Sequence, residues 1–386
     1  MSVSVPDELL RSISAHFVRV VRAFTPGRCC LACLIGFLIS AAPSLRAQDF
    51  QPTVTVGGGL QTSYDHTEPS SGPGLDQFEL NHIRLYLSGD ITKNFSFMFN
   101  TDYNNVTNNV GVLDAVGEFH ASPEVNVWFG RFLPPSDRAN LYGPFYANQW
   151  GVYTDGIQDG YPFVFQGRDN GVVYWGDFKA GVVKLKVSAG AFDGASATSN
   201  TSVIWAARAQ LDFWDPETGY YLNGTYYGDK NLLAIAGATQ IQNGNTATTA
   251  DFLMERKAMH GGAVTIESEY ANYNRLGGYN ANYAKSEGAY GLASVLFPKQ
   301  VGIGKIEVLG KFALAQFTHG IVPSEGASNP SYRQRTTEAN LSYIIKQFDA
   351  RVMAFGRTTS FNGVQKDFWE AGVGLQLQIS KQIPLK

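Results

Sequence analysis

The chain has 386 residues, 44% apolar and only 16% charged, with 41 glycines, 13% aromatics, and 30 Lys and Arg against 33 Asp and Glu. Its small negative charge and lack of a basic tract argue against a nucleic-acid partner, because phosphate binding relies on clustered Lys and Arg. A mean hydropathy of −0.13, with no apolar run of 18 residues beyond position 47, also argues against membrane-spanning helices.

Residues 1–47 read as a cleaved export signal. Arg11, Arg19, Arg22 and Arg28 lead into an apolar run from Cys29 to Ala42, followed by Pro43, Ser44, Leu45, Arg46 and Ala47. The run is too short for the roughly 20 residues of a bilayer-crossing helix. Cys29, Cys30 and Cys33 are the only cysteines, so residues 48–386 hold no disulfide and no thiolate site. Most of the apolar run follows Cys33, contrary to a lipoprotein signal. Removing five cations and two anions leaves 25 minus 31, or −6.

The remaining chain alternates with period two, the mark of strands with one apolar and one polar face. Ile83, Leu85 and Leu87 interleave with Arg84, Tyr86 and Ser88, and Phe95, Phe97 and Phe99 with Ser96, Met98 and Asn100. Val183, Leu185, Val187, Ala189 and Ala191 oppose Lys184, Lys186 and Ser188; Trp205, Ala207, Ala209 and Leu211 oppose Arg208, Gln210 and Asp212. The final run sets Trp369, Ala371, Val373, Leu375, Leu377 and Ile379 against Glu370, Gly372, Gly374, Gln376, Gln378 and Ser380. Strand starts are expected near residues 52, 78, 94, 111, 124, 168, 181, 202, 220, 231, 249, 261, 286, 303, 334, 348 and 367. Single-chain bacterial barrels use even numbers, so 16 strands are expected, with one candidate a loop or split strand.

This is an all-β pattern: a transmembrane antiparallel β-barrel of about 16 strands forming one domain over residues 48–386. A soluble sandwich would not place Arg, Lys, Glu and Asp on so many presumed inner faces. Adjacent aromatics near strand ends, Trp128 with Phe129, Tyr174 with Trp175, Phe213 with Trp214 and Phe368 with Trp369, suggest interfacial girdles.

The alternation nominates side chains for a water-filled lumen. The basic set is Arg84, Lys184, Lys186, Arg208, Lys305, Lys311, Arg351 and Arg357; the acidic set is Asp212, Glu267, Glu269, Glu307, Asp349 and Glu370. Lys184 with Lys186, and Glu267 with Glu269, are i, i+2 pairs that point the same way on a strand, so both signs are represented. Each could equally be part of a structural ion pair.

Gly130-Arg131-Phe132-Leu133-Pro134-Pro135, then a long aromatic and glycine-rich stretch, then Gly167-Arg168-Asp169-Asn170-Gly171-Val172, resembles the phosphate-selective porin O and P family. The resemblance implies a 16-stranded homotrimeric barrel in the bacterial outer membrane, passing small polar solutes or ions, with residues 134–166 folded inward as a constriction loop. That loop would carry Asp137, Arg138, Tyr142, Tyr146, Trp150, Asp155, Asp159 and Phe163. An external loop is the other reading of the segment. Two departures stand out: a phosphate path needs a run of cations, whereas the balance is −6, and the chain ends Ile383-Pro384-Leu385-Lys386 without a terminal aromatic.

No cofactor, metal site or enzyme activity is expected. G-x-S-x-G, H-E-x-x-H and G-x-G-x-x-G are all missing, and the Asp155-Gly156 to Asp159-Gly160 spacing does not match an EF-hand loop. The competing expectations are a non-conducting outer-membrane barrel for adhesion or anchoring and, less favoured, an outer-membrane barrel enzyme, which would need a serine to converge in space with one of the scattered His66, His82, His120, His260 and His319.

Overall fold

A computed structural model describes residues 50–104, 108–151, 167–194, 203–276, 283–320, 330–363 and 365–384. The expected signal, together with Asp155, Asp159 and Phe163, lies outside the described residues. In chain order the strands are β1 (Thr53–Pro69), β2 (Leu75–Asp90), β3 (Phe95–Asn104), β4 (Asn109–Ser122), β5 (Val125–Phe132), β6 (Asp169–Ala180), β7 (Val183–Phe192) and β8 (Ile204–Asp212). They continue as β9 (Leu232–Gln242), β10 (Asn245–Ala258), β11 (Gly262–Asn274), β12 (Tyr283–Val301), β13 (Gly304–Gly320), β14 (Tyr332–Lys346), β15 (Ala350–Asn362) and β16 (Phe368–Pro384). A helix, α1 (Arg138–Tyr146), lies between β5 and β6.

Every strand pairs antiparallel with its chain neighbours, and β1 pairs with β16 from Thr53↔Pro384 to Pro69↔Phe368, closing the barrel. Closure leaves no unpaired edge, which is what lets strands cross hydrocarbon. β13 shows how the side chains sort: Val308, Phe312 and Leu314 are exposed on the outside, while Glu307, Leu309, Lys311 and Ala313 are buried on the inside. Leu85, Phe129 and Val373 extend the outer apolar surface.

Sixteen of the seventeen expected strand starts correspond to strands; the start near 220 does not. Residues 213–231 connect β8 to β9 and turn into the lumen. Their aromatic, alternating sequence does bury every second side chain, with Tyr220 and Leu222 covered and Tyr221 and Asn223 half-buried, but the cover comes from other protein inside the barrel. The aromatic girdle reading also needs correction. Phe129 faces outward, but Trp128 and Trp175 are buried inside, because adjacent residues of a strand point to opposite faces.

Strands of odd number run away from the end where β1 begins and β16 finishes, here the terminal end. The opposite end is the loop end. At the terminal end the described connections 91–94, 123–124, 181–182, 259–261, 302–303 and 347–349 are tight turns, and only 213–231 is long. The described start of the β5–β6 connection, 133–151, enters the lumen from the loop end.

Candidate functional site: two inward segments and the lumen wall

α1 begins at Asp137, whose carboxylate caps it by accepting from the Asn140 backbone N–H at 2.7 Å. Gly143, at φ 62°, breaks the helix into two turns and redirects the chain across the lumen, a conformation that favours glycine. Arg138 is fully buried: Nη1 donates to Glu217 Oε1 at 2.9 Å and to the Asn223 carbonyl at 3.1 Å, and Nε lies 3.3 Å from Asp251. The Ala139 N–H donates to Glu269 at 3.2 Å, and the Tyr142 hydroxyl donates to Glu267 at 2.9 Å.

Beyond α1 the segment is held by the opposite wall. Arg351 Nη1 donates to the Ala147 carbonyl at 2.8 Å, Gln376 to the Phe145 carbonyl at 3.0 Å and Gln61 to the Pro144 carbonyl at 3.2 Å. Tyr146 packs edge-on against Phe348, and Trp150 stacks on Phe355. A Cβ at Gly374 would lie 2.5 Å from the Trp150 ring, so this glycine leaves the space that the indole fills. The described part of the connection therefore spans the lumen from β5 to β10–β12, β15, β16 and β1.

The β8–β9 connection meets it from the other end. The Tyr220 hydroxyl donates to the Leu133 carbonyl at 2.7 Å, the Leu222 N–H to the Leu141 carbonyl at 3.3 Å and the Gly224 N–H to the Tyr146 carbonyl at 2.9 Å. Glu255 accepts from the Thr225 hydroxyl at 2.8 Å and the Tyr226 N–H at 2.7 Å. Trp128, Phe132, Leu133, Leu141, Trp175, Phe192, Tyr220 and Leu222 make an apolar core inside the barrel. Burial works against charge on Glu217, but the Arg138 guanidinium overrides it and holds that carboxyl at about 2.

The nominated charged residues fall into three groups. Arg208, Asp212, Glu267, Glu269, Glu307 and Arg351 are inside and buried beneath the two segments; Arg208 grips Asp251, with Nη2 to Oδ1 at 2.9 Å. Arg84, Lys186, Lys311, Arg357 and Glu370 are also inside. Arg84 pairs with Asp102 at 2.9 Å and Lys186 lies 3.9 Å from Asp177. Lys311, Glu338, Arg357 and Glu370 stand opposite one another on β13 to β16 as a row of alternating charge. Lys184 shares the inward face of Lys186, opposite Asp212. Two positions lie at the terminal rim: Lys305 donates to the Gly261 carbonyl at 2.6 Å, and Asp349 occupies the β14–β15 turn, paired with Lys346 at 2.9 Å on the surface. Asp349 follows a tight turn, so strand alternation does not govern it.

The inward side chains that keep access to water lie mainly on β2–β6. Tyr86, Ser88, Ser96, Met98, Asn100, Glu118, His120 and Asp177 are all half-buried, whereas Gln210, Asp251, Glu255, Thr265 and Ser294 across the barrel are buried. Registers Ser88↔Met98, Tyr86↔Asn100 and Ser96↔Glu118 place these residues side by side. At the terminal end the wall opens into a cavity of about 320 Å³ lined by Lys93, Asn94, His120, Asn126, Trp175 and Asp177. The alternation assigns Tyr86, Ser88, Ser96, Met98 and Asn100 to the polar face and makes no assignment for Glu118, His120 or Asp177. What distinguishes them is the lack of an overlying segment, which periodicity does not encode.

Among solved structures, the chain is similar to OmpF of Salmonella typhi (12% identity, 84% of this chain and 97% of that one, TM-score 0.51). It is also similar to the outer membrane channel DcaP of Acinetobacter baumannii (13%, 85% and 98%, 0.51). OmpT, an outer membrane protein of Vibrio cholerae, aligns with a TM-score of 0.47 at 11% identity. The closed sixteen-stranded antiparallel barrel is a fold like that of OmpF and DcaP. No family model and no curated protein matches the sequence, so the resemblance to the phosphate-selective porin O and P family rests on the Gly130–Pro135 and Gly167–Val172 motifs.

Proposed function

We propose that the chain is an outer-membrane porin, delivered by a cleaved signal and assembled as a homotrimer, that passes small polar solutes and favours cations over anions. The supporting observation is the half-buried polar wall of β2–β6 and the cavity that continues it, inside a barrel whose exterior is apolar. Asp102 with Arg84 and Asp114 with Arg168 are buried pairs, and the half-buried Asp90, Glu118 and Asp177 stand against Lys93 and Lys179, a small acidic excess; the sign of the lining charge sets which ion passes. The same excess disfavours a phosphate path. Liposome swelling in sugars of increasing size tests the reading: entry that falls with solute size supports it, and no entry of the smallest sugar from folded, inserted protein contradicts it.

A non-conducting barrel is the second reading. It is favoured by the depth at which Arg138, Phe145 and Ala147 are buried, since a lumen filled across its width would anchor or display loops without passing solute.

A further inference from the structure

We infer that the β8–β9 connection is a second pore-limiting element, and that Tyr221 against Asp114 sets the size limit on the path along β2–β6. The inference rests on the porin reading. The connection has 19 residues between Asp212 and Leu232, whereas the other described turns at that end have two to four. A hairpin needs only a short turn, and the extra chain is spent inside the lumen.

Three contacts fix its depth there: Glu217 on Arg138, and the Leu222 and Gly224 amides on α1 and its exit. Tyr220 and Tyr221 then diverge. Tyr220 is buried in the apolar core, while Tyr221, half-buried with its ring packed on that core beside Trp128, extends to the β4 wall, its hydroxyl donating to Asp114 Oδ1 at 3.1 Å. Asp114 also faces Arg168 at 3.4 Å and lies opposite Asn100. A rigid phenol spanning from the inward segment to the wall limits width there.

The test uses the whole protein in planar bilayers. Tyr221→Ala is expected to raise single-channel conductance roughly twofold and to admit larger neutral solutes, since a pore's narrowest point governs both. Tyr220→Phe, which loses only its bond to Leu133, leaves conductance unchanged. Tyr221→Cys covers the case in which the alanine variant fails to fold: a charged methanethiosulfonate should cut its current, with the reagent-treated parent, whose cysteines are Cys29, Cys30 and Cys33, as control. A conducting parent whose current is indifferent both to Tyr221→Ala and to modification at position 221 overturns the inference and leaves the porin reading intact. A silent parent that conducts once residues 214–230 are replaced by a two-residue turn supports the connection as the closing element, whereas silence in both overturns the inference and the porin reading together.

Discussion

Arg138 and Glu217 belong to connections that enter the barrel from opposite ends, and they meet as a buried ion pair, 2.9 Å from Nη1 to Oε1. Neither residue is on a strand, so the pair holds two otherwise separate segments at one depth. Removing one partner strands a buried charge, which costs about 3–5 kcal/mol. Glu217→Ala should lower the temperature at which the folded barrel loses its faster electrophoretic migration, and Arg138→Met combined with Glu217→Met should lower it less than either single change. Equal or greater loss in the double variant contradicts the pairing.

The same pair carries a pH signature. The carboxyl of Glu217 sits at about 2 in the folded protein, below the value of about 4.3 for an unperturbed Glu. Its stabilisation is therefore complete above the unfolded value and is lost as pH falls through the folded one. The stability gap between the parent and Glu217→Gln should be widest near neutrality and close between about pH 4 and pH 2. A gap independent of pH in that window excludes an ionised Glu217.

Gly374 makes room for Trp150, and with it for the far end of the β5–β6 segment. Gly374→Val should push the indole off Phe355, leave the barrel folded and change current noise or open-channel conductance. Tryptophan fluorescence checks the displacement: an unshifted emission maximum with unchanged current removes this contact from the account.

Charge on the open wall should set ion preference. Glu118→Lys exchanges an anion for a cation at a half-buried inward position and is expected to move the reversal potential toward anions by on the order of 10 mV in a tenfold salt gradient. Glu267→Gln, buried under Tyr142, should move it far less. The reverse ranking would place the path under the β5–β6 segment.

The outer surface makes a separate prediction. Leu85 is 62% exposed on β2, and Leu85→Arg should cost about 2–4 kcal/mol if that surface meets hydrocarbon at mid-depth. Refolding into lipid vesicles monitored by urea titration measures it, and a cost near zero places Leu85 against water.

Much of this architecture could be read from alternation. Strands such as β13 and β16 must hide one face from water, and a register slip of one residue would invert both faces. Periodicity registers burial without naming what does the burying. Residues 220–227, Tyr-Tyr-Leu-Asn-Gly-Thr-Tyr-Tyr, therefore resemble a strand while packing on α1. For the same reason Glu267 and Ser88 read alike as inward side chains, and only the path of residues 133–151 and 213–231 decides that the first is covered and the second is not. The nominated loop residues Asp137, Arg138, Tyr142, Tyr146 and Trp150 do lie inside the barrel, but their partners, Glu217, Asp251, Glu269 and Phe355, are remote in sequence and carry no local mark.

Single-channel recording of the purified protein in planar bilayers, with reversal potentials under a salt gradient, tests the central claim most directly. The account predicts stepwise openings with a cation-selective reversal potential. Folded, inserted protein that produces no openings, or an anion-selective reversal potential, contradicts it.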